Sequence, residues 1–211
     1  MNKFYIGADI GGTTVKFGMF SHIGELLEKW EIKTRVENEG ENILPDVAAS
    51  IEEKRACNDG NIMGIGVGIP GPVVEDGTVL KCPNIPWPVF NVKDSLFDLT
   101  GVGNIRVAND ANVAALGEMW KGGGRGYDSI VMVTLGTGVG CGVILGGRIL
   151  TGTSGAGGEI GHMKVELHET EQCGCGGRGC LEQYSSATGI VRMAKKEMKK
   201  DSALAALEEV T

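Results

Sequence analysis

The sequence predicts an α/β protein of two units. Three observations carry this: short Val- and Ile-rich runs separated by segments of helical period, a strand–turn–strand unit that occurs twice, and 35 glycines among 211 residues, many clustered beside those runs. Residues 4–8, 15–20 and 26–34 read as three strands of a meander, with turns at Asp9 to Thr13 and at Gly24. Ile43, Val47 and Ile51 share one side of a helix over 43–57. A strand at 62–69 stops at Pro70-Gly71-Pro72, a short helix covers 92–99, and a buried strand covers 105–108. The first domain is therefore expected over 1–108.

A second domain is expected from 109. A helix over 111–120, capped by Asn109 or Asp110, ends at Gly122-Gly123-Gly124. Strands at 129–135 and 139–145 flank a turn at Gly136 to Gly138, and Gly146-Gly147 makes a further hairpin turn. The segments IGADIGGTTVKFGMF and MVTLGTGVGCGVIL repeat one device, which suggests a duplicated hairpin core. A glycine-rich loop over 152–161 and a cysteine loop follow, and the pattern is helical from Leu181 onward. Lys195, Lys196, Lys199 and Lys200 read as a solvated face of that helix.

Composition narrows the function. A hydrophobic share of 42% supports a core, and a net charge of −7 with no basic stripe argues against nucleic acid as a partner. No apolar run approaches the roughly 20 residues of a membrane span, and Asp9 interrupts any leader-like start, so a cytoplasmic protein without membrane partners is expected. Of six cysteines, Cys57, Cys82 and Cys141 stand apart and read as reduced and structural, whereas Cys173, Cys175 and Cys180 crowd one loop.

Four motifs can carry chemistry. In Asp9-Ile10-Gly11-Gly12-Thr13-Thr14, with Lys16 behind, the turn offers unobstructed N–H groups and two hydroxyls, a plausible phosphate cradle, and Asp9 is placed to organise the water shell of Mg²⁺. It is not a P-loop, because it runs into a strand, and an ordinary hairpin turn needs the same residues. Leu135 to Gly140, with Thr137 and Gly138 at its centre, repeats the device, and two such turns suggest a nucleotide held between two domains. Asn109 and Asp110 end a buried strand and open a helix: they are either a simple cap, or Asp110 accepts a proton from a sugar hydroxyl while Asn109 holds a neighbouring one, and both readings can hold together.

The fourth motif joins Glu159 and His162 to Cys173, Cys175, Cys180 and Glu182. One imidazole and three thiolates are the ligand set of a closed zinc site, whereas an iron–sulfur cluster usually takes four cysteines. Glu159 and Glu182 are solubilising charges or, bracketing a rigid loop, acceptors for sugar hydroxyls. His162 can bind zinc through one ring nitrogen and donate to a hydroxyl through the other.

These residues resemble the ROK family, the repressor–open reading frame–kinase group, and within it the bacterial glucokinases. The matching pieces are DIGGTTVKFGMF, GIGVGIPGPV, CPNIPWP, VANDANVAALGE, TLGTGVGCGVILGG, GEIGHM and CGCGGRGCLEQY, which span residues 9–184. The resemblance implies an actin-like, ribonuclease-H-like two-domain ATPase fold and transfer of phosphate from ATP to the 6-hydroxyl of glucose. Asp110 is similar to the family's base. Asn109, Glu159, His162 and Glu182 resemble its sugar ligands, with Gly71 a further backbone contact and Asn84 a weaker candidate. Gly11, Gly12, Thr13, Thr14 and Lys16 resemble the first phosphate loop, and Thr137 and Gly138 the second. His162, Cys173, Cys175 and Cys180 match the zinc set. A homodimer is implied too. Family members continue beyond residue 211, so the second domain is expected to be incomplete here, with the adenosine segment outside the chain.

Related alternatives are a kinase for N-acetylmannosamine, N-acetylglucosamine or fructose, differing at the walls around the 2-position, and a sugar-responsive repressor, which would carry a DNA-binding region in front of a first strand that here starts almost at Met1. A zinc-stabilised interaction protein would leave the paired turns and the Asn109–Asp110 pair unexplained.

Overall fold

Apolar residues at every second position decide where the opening strands form and which face they bury. In the computed structural model, which describes residues 2–58, 60–80, 82 and 85–200, β1 (Asn2–Ile10), β2 (Thr14–Ser21) and β3 (Leu26–Lys33) form an antiparallel meander. Phe4, Ile6, Ala8 and Ile10 of β1 are buried with Val15, Phe17 and Met19 of β2. The intervening Asp9 and Lys16, cross-strand partners, are exposed.

The chain continues through α1 (Ile43–Cys57), β4 (Gly60–Ile69), the short pair β5 (Thr78–Val79) and β6 (Phe90–Asn91), α2 (Val92–Thr100) and β7 (Ile105–Asn109). The short pair has no alternating pattern long enough to be legible in the sequence. Ile43, Val47 and Ile51, four residues apart, are buried along α1 as expected. The Asn91 side chain accepts the Asp94 N–H to start α2, and left-handed Gly101 ends it. The sheet order is β3-β2-β1-β4-β7, with β1, β4 and β7 parallel. Parallel pairing puts the ends of these strands on one edge, where Asp9 pairs with Gly68 and Ile69 with Asn109.

The fold divides into two compact units, Met1–Gly117 with Thr151–Gly157, and Glu118–Leu150 with Gly158–Thr211. The helix α3 (Asp110–Lys121) follows β7 directly. In the second unit β8 (Ile130–Leu135), β9 (Val139–Leu145) and β10 (Arg148–Ile149) form an antiparallel sheet in the order β10-β9-β8.

Three expectations need correction. The helix expected from Leu181 is two helices, α4 (Glu182–Ser185) and α5 (Ala187–Met198). Ser186 is extended at φ −72°, ψ 164° and caps α5 by accepting the Gly189 N–H. A Cβ on Gly189 would lie 2.5 Å from the Glu182 carbonyl oxygen and 2.7 Å from the Gln183 carbonyl carbon, so α5 starts against the backbone of α4. The lysine face of α5 is not all solvated. Lys196 Nζ stands 3.0 Å from Glu171 and 3.6 Å from Glu169, whose side chain is 4% exposed and also meets Arg192 at 2.9 Å. Cys57 is exposed at the end of α1, so it fills no core; Cys82 and Cys141 are buried.

Asn84 and the expected helical stretch past residue 200 lie outside the described residues. Among the described residues no helix is long and apolar enough to cross a membrane.

Candidate functional site

In the first unit the candidate groups gather where the parallel strands end. The Gly11 N–H donates to the Thr14 carbonyl at 3.0 Å and closes the first turn. Asn109 is fixed at both ends of its amide. Its Oδ1 accepts the N–H groups of Ala111 and Asn112 at 3.0 and 3.2 Å, and its Nδ2 donates to the Gly71 carbonyl at 3.2 Å. The same side chain also hydrogen-bonds the Asp110 carboxylate, a contact that pulls its carboxyl down. Gly71, at φ 127°, is in the left-handed region that glycine accepts without strain; with its carbonyl taken, its N–H is the group left to offer.

Asp110 accepts the Ala111 N–H at 2.8 Å, so its carboxylate is part of the helix start. Protein packed around it raises its carboxyl above the ordinary value. The Ala111 N–H opposes the rise, and the charge of Asp9 adds to it. Its edge stays open to solvent. Asp9, though its side chain is exposed, loses part of its water to the protein packed beside it, which raises its carboxyl, while Lys16 pulls it down. Cys82 is pushed up to about 11 by burial, with the Asp110 charge adding, so this thiol stays protonated at neutral pH.

The second unit brings Glu159, His162 and Glu182 together. His162 Nε2 lies 3.8 Å from Glu159, and Nδ1 lies 3.5 Å from Glu182. The same Nδ1 is 3.9 Å from Cys173 Sγ, and Cys175 Sγ is 3.6 Å from Cys180 Sγ. All four ligand atoms of His162, Cys173, Cys175 and Cys180 lie within 4.8 Å of one another. Ligand bonds of about 2.0–2.3 Å in a tetrahedron put neighbouring ligand atoms about 3.3–3.8 Å apart, so the cluster fits zinc with little adjustment. Lys164 Nζ stands 3.0 Å from Cys180 Sγ.

The turn between β8 and β9 belongs to the same neighbourhood. A Cβ on Gly138 would lie 2.9 Å from Glu182 Oε2, so glycine keeps that carboxylate where it is. Ala187 N–H and the Thr188 hydroxyl donate to the Gly136 and Thr137 carbonyls at 2.8 and 2.7 Å. Sequence reasoning missed Ser186 and Thr188; the signal was a Ser-X-Thr-Gly run hidden inside a helical pattern. It also missed Glu169, because the pairing with Arg192 spans 23 residues.

The ROK family pattern matches residues 5–209. The chain is 43% identical over 197 residues to the glucokinase of Halalkalibacterium halodurans, covering 92% of this chain and 59% of that one. Its structure resembles that of a ROK family glucokinase from Streptomyces griseus in complex with glucose and AMPPNP, with a TM-score of 0.77, 36% identity, and coverage of 97% of this chain and 64% of that one. For the ROK hexokinase of Thermus thermophilus the TM-score is 0.80 at 35% identity, covering 93% and 64%. The chain spans about three-fifths of the length of the curated relatives it matches. It shares the actin-like sugar-kinase fold of these solved kinases. Matched along nearly all its length by one family pattern, and at 43% identity by a curated relative, the chain belongs to the ROK family.

Proposed function

We propose that the whole protein carrying this chain transfers the γ-phosphoryl group of ATP to the 6-hydroxyl of glucose. The observation that carries this reading is Asp110: a carboxylate at the end of a parallel strand, held by a helix N-terminus, raised by burial and open at one edge. Such a group takes the hydroxyl proton as the sugar oxygen bonds to phosphorus and the bond to the leaving ADP breaks. Asn109 Nδ2, now turned to the Gly71 carbonyl and Asp110, meets a neighbouring sugar hydroxyl, and Gly71 offers its N–H.

In the second unit, Glu159 and Glu182 supply carboxylates for sugar hydroxyls, and His162 Nε2 a donor beside Glu159. Gly11, Gly12, Thr13 and Thr14, with Lys16, and the turn at Thr137 and Gly138 offer N–H groups, hydroxyls and a positive charge to the phosphates. Asp9 would organise the waters of Mg²⁺, which neutralises charge on the transferring group when bound with ATP. Zinc on His162, Cys173, Cys175 and Cys180 would be structural, because four protein ligands leave no open position. The reading includes two domains and a cytoplasmic homodimer. The similarity to a glucokinase solved with glucose and AMPPNP supports the choice of sugar and donor.

A coupled assay of the whole protein against glucose, fructose, mannose and the N-acetylated amino sugars tests it. Glucose should give the highest kcat/KM, and a clear preference for an amino sugar would transfer the reading to that substrate.

A further inference from the structure

Each of the two candidate phosphate turns is held from behind by a threonine that lies outside its motif. In the first unit the Thr34 hydroxyl donates to the Gly11 carbonyl at 2.7 Å, and the Thr34 N–H donates to the Thr13 carbonyl at 2.9 Å. In the second unit the Thr188 hydroxyl donates to the Thr137 carbonyl at 2.7 Å, and the neighbouring Ala187 N–H donates to the Gly136 carbonyl at 2.8 Å. Each turn thus has two carbonyls tied by one hydroxyl and one backbone N–H.

A trans peptide is planar, and its carbonyl and N–H point in opposite directions. Tying the Gly11 carbonyl therefore aims the Gly12 N–H away from Thr34. Tying the Gly136 and Thr137 carbonyls aims the Thr137 and Gly138 N–H groups away from α5. None of these three N–H groups has a hydrogen-bond acceptor among the described residues. Without the ties, glycine-rich peptides of this kind can rotate, and their carbonyls would compete for the face where an anion binds. The tie in the second unit is itself braced. Ser186, 1% exposed, donates to the Glu182 carbonyl at 2.6 Å and accepts the Gly189 N–H at 2.9 Å, which fixes the start of α5.

We infer that Thr34 and Thr188 are positioning residues that set the peptide planes of the two turns so that free N–H groups face the phosphates of the nucleotide. This rests on the kinase reading above, and deepens it.

The test uses the whole protein. Thr188→Val removes the hydroxyl at nearly constant volume and Thr188→Ser restores it; Thr34→Val and Thr34→Ser do the same for the first turn. Calorimetric titration is run with a non-hydrolysable ATP analogue and, separately, with glucose. Loss of one oriented hydrogen bond should weaken the analogue about five- to tenfold in each valine variant, with recovery in each serine variant. Glucose affinity should stay at the parent's value in Thr188→Val, with only a small fall in melting temperature from the lost hydroxyl contacts to Thr137 and Ser186. Thr34 is 4% exposed, so its valine variant also loses stability, and the exposed Thr188 is the decisive position. Unchanged affinity for the analogue in Thr188→Val, or a fall matched by glucose, overturns the inference. A parent protein that binds glucose but no analogue overturns the nucleotide reading of the turns, and the inference with it.

Discussion

Asp110 feels the charge of Asp9 across Gly68. A Cβ on that glycine would stand 3.6 Å from Asp9 Oδ1 and 3.7 Å from Asp110 Cα, so the two acidic residues flank a strand position that carries no side chain. The pairing of Asp9 with Gly68, and of Gly68 with Ala108, fixes this neighbourhood in the backbone. A like charge nearby raises a carboxyl, and here it adds to the effect of burial.

This sets the direction of the pH dependence. The proposed role needs Asp110 ionised, and its raised pKa means that protonation begins at a higher pH than the ordinary value of about 3.9. The rate is therefore lost as pH falls through that raised value. Asp9→Asn removes the like charge, so the acid limb of kcat/KM should move to lower pH even though the maximum is reduced. A limb that stays in place would show that Asp110 does not govern it.

Removing zinc should act on sugar more than on nucleotide. Cys180 stands two residues before Glu182, and Glu159 three before His162, so loosening the ligands releases the groups proposed to meet the sugar. Chelation should lower the melting temperature and weaken glucose binding far more than binding of an ATP analogue. Elemental analysis of protein purified without chelator should find one zinc per chain, because the site holds one ligand set.

The strap around Glu169 should show in acid stability. Tyr184 and Arg192 hydrogen-bond this carboxylate and hold it well below the usual glutamate range. A depressed carboxyl stabilises the fold above its unfolded value of about 4.3, and the contribution is lost as pH falls below that. Glu169→Gln should melt below the parent at pH 7, with the gap narrowing under strongly acidic conditions. Thermal melts at both pH values check it.

Most of the first unit was legible because its strands alternate cleanly. Phe4, Ile6, Ala8 and Ile10 announce one buried face, and Pro70-Gly71-Pro72 stops β4 where expected. The cluster of His162 with Cys173, Cys175 and Cys180 was legible because its three cysteines are close in sequence, and the Asn109 cap because a cap at a strand end has a local signature. The break at Ser186 was not, since the residues on both sides fit a helix; what decides it is the close approach of Gly189 to the α4 backbone. The ties from Thr34 and Thr188 were hidden for a different reason. They join positions 23 and 51 residues apart, and no local pattern encodes such a bond.

The central claim is that Asp110 takes the proton from the sugar hydroxyl, and Asp110→Asn in the whole protein tests it most directly. Asparagine keeps an acceptor for the Ala111 N–H, so the cap survives. It also removes a carboxylate that burial disfavours, so the variant should melt at or above the parent's temperature. Steady-state assay with glucose and ATP should show kcat reduced about a hundredfold or more, with glucose affinity nearly unchanged. A kcat within a few-fold of the parent would contradict the account.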